Sequence, residues 1–187
     1  MGSHRQFGVT VMQILAAPFY GVSGDYQSIA TVTVGSGGAT VVTFSGIPQT
    51  YKHLQLRYIA RSSTGGEYNP NFQINSDTAG NYRWHYLTGN GSTASSGDSG
   101  ASPTSIVLPI VPSATSTFGV NIIDFLDYAD TNKFKTTKNI GGRDTNGGGE
   151  ALVISGLWRS TAAISTITLN FSGAAQYSHF ALYGIKG

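Results

Sequence analysis

From residue 26 onward, side-chain polarity alternates with a period of two almost without interruption. In residues 28–34, Ile29, Thr31 and Thr33 alternate with Ala30, Val32 and Val34. Leu54, Leu56, Tyr58 and Ala60 mark one side of a second segment, and Tyr82, Trp84 and Tyr86 one side of a third. A strand sends successive side chains to opposite faces, so this period predicts half-buried β-strands and excludes amphipathic helices. Gly, Pro and Asn punctuate the segments every eight to twelve residues or so, the spacing of an antiparallel β-protein. The pattern predicts an all-β fold: a β-sandwich or jelly roll of about 8–10 antiparallel strands, formed by residues 26–187 as one domain. Gly35-Ser-Gly-Gly38 reads as the turn of a hairpin joining residues 28–34 to residues 39–44. Residues 88–105 read as a long low-complexity loop, of a length that in a compact domain is usually functional or mobile, and residues 141–150 as a second glycine-rich loop.

Residues 1–25 differ in character. Phe7, Val9, Val11, Ile14, Leu15, Phe19 and Tyr20 are apolar, while Pro18, Gly21 and Gly24 oppose a helix. The segment resembles a secretion signal only loosely, because Thr10 and Gln13 interrupt its apolar run. It reads as an N-terminal arm whose seven apolar residues need a surface, either on their own domain or on a neighbouring subunit. The chain contains no run of about 18 apolar residues, and no membrane partner is expected.

Composition narrows the chemistry. The chain has no cysteine, which excludes disulfide scaffolds, thiol enzymes and cysteine-ligated metals. Charged residues make up 11% of it, against a usual ~25%. The polar surface is therefore built largely from the 25 Gly, 21 Ser and 20 Thr. Such a surface suits a place in a fixed assembly or contact with neutral ligands such as sugars. The net charge of +2 is too small to predict a nucleic-acid partner.

Titratable residues are few and scattered. Glu67 and Glu150 lie in glycine-rich segments, and Asp124, Asp127 and Asp130 read as strand-end and turn carboxylates. No Gly-x-Ser-x-Gly elbow accompanies His4, His53, His85 or His179, and no His-x-His pair is present. Asp144-Thr-Asn146 with the following glycines and Glu150 has calcium-type oxygen donors but not the EF-hand spacing. Lys133, Lys135, Lys138 and Arg143 form the one basic cluster, with Lys133 and Lys135 expected on one face. No catalytic residue, cofactor or metal is expected, and the chain does not read as an enzyme. Trp84, His85, Asp144 and Asn146 are the candidates to face a ligand; the stripe of Tyr82, Trp84 and Tyr86 reads first as sandwich core and second as a surface for stacking on sugar rings.

Four segments carry a resemblance: the run from Ser28 to Arg57, Asn121-Ile-Ile-Asp-Phe-Leu-Asp-Tyr128 with Asn132-Lys133, Gly156-Leu-Trp-Arg-Ser-Thr-Ala-Ala-Ile164, and Phe180-Ala-Leu-Tyr-Gly-Ile-Lys186. In this order they resemble a group of virion structural proteins of tailed phages, of the aquatic, cyanophage type, over residues 28–187. The resemblance implies a non-enzymatic β-rich protein on the surface of the phage particle. The expectation is a capsid decoration (cement) protein, a homo-oligomer such as a trimer, whose partner is the major capsid protein or another virion protein. The alternative is a tail-fibre or receptor-binding module that recognises host polysaccharide.

Overall fold

The computed structural model describes residues 24–187. The arm residues singled out above, Phe7 to Tyr20, lie outside the described residues.

Twelve strands follow in chain order: β1 Tyr26–Thr33, β2 Ala39–Ser45, β3 His53–Ala60, β4 Asn71–Ile74, β5 Tyr82–Gly89, β6 Ala94–Asp98, β7 Ile106–Val107, β8 Gly119–Leu126, β9 Lys135–Asp144, β10 Gly149–Trp158, β11 Thr166–Ala174 and β12 His179–Ile185. They form two antiparallel sheets packed as a sandwich. The large sheet has the order β1-β12-β3-β8-β9-β10-β5-β6, and the small one β2-β11-β4-β7. The fold is thus all-β, as the period of two requires, with two more strands than the upper expectation.

The period dictates what is buried. Leu54, Leu56, Ile123, Phe125, Phe180 and Leu182 face inward from the large sheet. Val42, Phe44, Phe72, Ile74, Ile167 and Leu169 meet them from the small one. Aromatic edges lock the layers, with Phe72 against Phe125 at 5.5 Å and Phe171 against Phe180 at 5.3 Å between ring centroids.

Four expectations are corrected. Residues 35–38 do not close a hairpin: β1 pairs with β12 in the large sheet and β2 with β11 in the small one, so the turn is an arch between layers. Local turn chemistry sets the reversal, but burial decides the partners, since Val42 and Phe44 must reach the small sheet's core. Residues 88–105 are not one long loop, because β5 runs to Gly89 and β6 pairs back onto it. Residues 141–150 are mostly strand, with β9 reaching Asp144 and β10 starting at Gly149 in register with it. Lys133 and Lys135 do not share a face: Lys135 is buried, 1% exposed, on the inner side of β9, whereas Lys133 lies in the preceding turn.

Candidate functional site

The outer face of the large sheet runs across eight strands, and its registers can be read strand by strand. Ile122 on β8 pairs with Ile140 on β9, Ile140 with Val153 on β10, and Val153 with Leu87 on β5. One row over, Ile59 on β3 pairs with Val120 on β8. These six side chains are 41–58% exposed, so apolar groups form a ladder across five neighbouring strands in solvent. Gly142, Ala151 and Gly89 continue the second row with almost no side chain. Between the ladder and β12 lies a shallow depression of about 610 Å³, lined by Ile59, Val120, Ile122, Ile140, His179 and Tyr183 among others. Strands with one solvated face normally alternate apolar and polar residues. Here β8 carries Val120 and Ile122 outward and Ile123 and Phe125 inward, so its apolarity is two-sided.

The row beyond the ladder is polar. Gln55, Asp124, Lys138, Ser155, His85 and Asp98 follow one another across six strands. Gln55 donates to Asp124 Oδ1 at 2.7 Å and accepts from Arg57 Nε at 2.6 Å. Lys138 Nζ approaches Asp124 Oδ2 at 3.4 Å. The Arg57 guanidinium lies over the Tyr26 ring at 5.6 Å and the Tyr183 ring at 5.2 Å. The outer face therefore has a fixed, polar flank and an apolar centre.

The residues expected to face a ligand are not brought together. His85 stands on the outer face in the polar row. Trp84 points to the inner face, half-buried, tilted against Tyr86 with centroids 6.2 Å apart. Tyr82, on the same side, is fully buried; its hydroxyl donates to Asp77 O at 2.9 Å, and burial pushes its pKa up to about 12. Asp144 and Asn146 form the tip of the β9–β10 hairpin, where Asp144 Oδ1 accepts from Asn146 N at 2.8 Å and Asn146 takes a φ of 57°. That tip lies beside the β5–β6 turn, because β10 pairs with β5, and the two border a polar cleft of about 440 Å³.

Other charges are held by ion pairs or by the main chain. Lys133 donates to Asp127 Oδ2, and Lys52 Nζ lies 2.9 Å from Asp127 Oδ1. These contacts, the Lys133 hydrogen bond first, lower the Asp127 pKa to about 2. Arg143 Nη1 donates to Glu67 Oε1 at 2.7 Å, and Glu150 Oε1 accepts from Ile110 N at 3.3 Å. Lys135 Nζ donates to the carbonyls of Asp130, Lys133 and Thr161 at 2.5, 2.9 and 3.0 Å. The basic cluster of the sequence is thus dispersed: Lys133 and Lys135 lie at the entry to β9 with different partners, and Lys138 and Arg143 stand apart on β9. Among the described residues no three His, Asp or Glu side chains converge as a metal site would need.

Sequence reasoning missed the ladder, although a signal was present: residues 120–126 are apolar on both alternations, which marks a strand covered on both faces. Comparison with protein-family models, curated proteins and solved structures finds no match.

Proposed function

We propose that the protein is a non-enzymatic structural component of a phage particle, a decoration protein that binds the head shell as a homo-oligomer. The observation that carries the reading is the apolar ladder on the outer face of the large sheet. Exposed apolar groups arranged contiguously on a flat sheet suit contact with another protein surface. No charged side chain lies within the ladder itself, which leaves a face whose contact, with the next copy in the oligomer, is apolar and shape-based. The resemblance of residues 28–187 to tailed-phage virion proteins supplies the kind of partner: the major capsid protein or a neighbouring virion protein. Many weak contacts repeated over a shell need not be tight singly.

Two measurements test this. Quantitative mass spectrometry of purified particles should give hundreds of copies per particle; a few dozen or fewer would place the protein on the tail instead. Removing residues 1–20 should abolish binding to particles while circular dichroism retains the β-signal; normal decoration by the shortened chain would overturn the role of the arm.

A second reading, recognition of a neutral polysaccharide, is favoured by the polar cleft between the two hairpin tips, lined by Asn90, Arg143, Asp144 and Glu150. Hits on a glycan array that disappear with Asp144→Ala would support it.

A further inference from the structure

We propose that the apolar ladder is the seat of the N-terminal segment, residues 1–23, of a second copy of the chain. The inference rests on the assembly reading above and names what covers the open face.

Four observations converge on this occupant. The ladder offers six apolar side chains, Ile59, Leu87, Val120, Ile122, Ile140 and Val153, on a surface whose nearest charge is Arg57, already held by Gln55 and two tyrosine rings. Residues 6–23 contain no charged side chain and carry Phe7, Val9, Val11, Ile14, Leu15, Phe19 and Tyr20. Apolar surface on both partners favours removing both from water.

The dimensions agree. In an extended chain, Phe7, Val9 and Val11 would stand on one side over about 13 Å. The four strands from Ile122 to Leu87 span about 14 Å at the usual strand spacing.

The direction of β1 selects a neighbour over the same molecule. Tyr26 pairs with Ile185 and Thr33 with His179, and His179 pairs with Ile59, the corner of the ladder. The ladder is therefore level with the far end of β1, and the residues before Tyr26 leave the sheet at the opposite end. To reach its own ladder the segment would have to double back over the polar row. A neighbour placed in line is met directly: with Phe7–Val11 seated, residues 12–25 reach at most about 45 Å extended, and a domain of this size is roughly 40 Å across.

The symmetry follows. A contact between the segment of one copy and the ladder of the next is heterologous, so it closes into a ring or propagates. A closed ring is one form of the homo-oligomer proposed above, and in it every ladder is covered by one segment.

The absence of cysteine makes the test clean. Two full-length single-cysteine proteins, Val9→Cys and Val153→Cys, are mixed under mild oxidation without any particle present. The mixed disulfide should be the main product, at least tenfold above that formed by Val9→Cys with the control Thr136→Cys, which lies on the same face outside the ladder. The double variant Val9→Cys/Val153→Cys should give covalent multimers on a non-reducing gel. A double variant that closes within one chain and runs as a monomer would overturn the proposal in favour of the molecule's own segment. Equal yields with the control would overturn it in favour of no seat on the ladder. Circular dichroism and thermal melts confirm that each variant is folded. Because no particle enters this experiment, a protein that forms the mixed disulfide but fails to bind shells would leave this seat standing and refute the decoration reading alone.

Discussion

Asp127 and Lys135 lie close together in the chain and manage charge in opposite ways. Asp127 stands in a turn at a φ of 47°, with its carboxylate between Lys133 and Lys52. Its pKa, lowered from 3.8 to about 2, means that the folded state releases the proton more readily than the unfolded chain does. Its stabilisation is therefore fully present above about pH 4 and is lost as pH falls through about 2. Asp127→Asn should be less stable than the parent at pH 6, with the gap closing by pH 2; urea melts at the two pH values measure it. Asn tolerates the left-handed backbone, so the comparison isolates the charge. Lys135 is instead taken out of water, and burial lowers its pKa. Three main-chain carbonyls hold its ammonium where no carboxylate does. Lys135→Met keeps the stem and leaves those carbonyls without their donor, which should cost about 3 kcal/mol in chemical denaturation. Lys138→Met, on the exposed outer face, should cost at most about 0.5 kcal/mol.

At the scale of elements, glycine is the residue that sequence reasoning misassigns. Gly141 and Gly142 read as the start of a loop, yet both lie inside β9. A Cβ on Gly141 would sit 2.5 Å from the Val120 carbonyl oxygen and 2.8 Å from the Pro109 ring. The glycine is there for close approach, because the segment after β7 packs directly on the β8–β9 ladder. Gly141→Ala should therefore destabilise the domain by about 2 kcal/mol and speed amide exchange in β8 and β9, measurable by denaturation and by hydrogen exchange. The same ambiguity hid β6, whose Ala94-Ser-Ser-Gly-Asp98 has no apolar alternation and pairs with β5 through its backbone. Where burial is strong, the sequence is legible: β2 and β3 fall close to where alternation puts them, and so does the inward aromatic side of β5. What alternation cannot carry is partner choice. The arch after β1 and the adjacency of first and last strands depend on contacts between residues far apart in the chain. For the same reason the ladder was not foreseen, since its six residues come from β3, β5, β8, β9 and β10, and only the registers align them.

The described residues form an unequal sandwich, eight strands against four. A four-stranded sheet covers only part of an eight-stranded one, and the β5 end of the inner face is filled by Trp84 and Tyr86 packing against the core. The outer face has no second layer among the described residues, and its centre is apolar. Association through that centre must carry a hydrophobic signature. It should be nearly indifferent to salt, because exposed charges more than a Debye length apart are screened while apolar burial is not. It should also show a negative heat-capacity change, on the order of −0.3 to −0.5 kcal/mol/K if roughly 1,000 Å² of apolar surface is buried. Calorimetric dilution of the full chain at several temperatures, in 0.05 and 0.5 M NaCl, separates the two driving forces. We expect the affinity to change by less than about threefold between the salts. Ile140→Lys, which puts a charge in the middle of the ladder, should weaken association at least tenfold without lowering the melting temperature by more than a few degrees, because Ile140 faces solvent and contributes little to the core. A loss of affinity at high salt in the parent, or full association by Ile140→Lys, would assign the contact to the polar row instead, and Asp124→Asn would then become the variant that separates the copies.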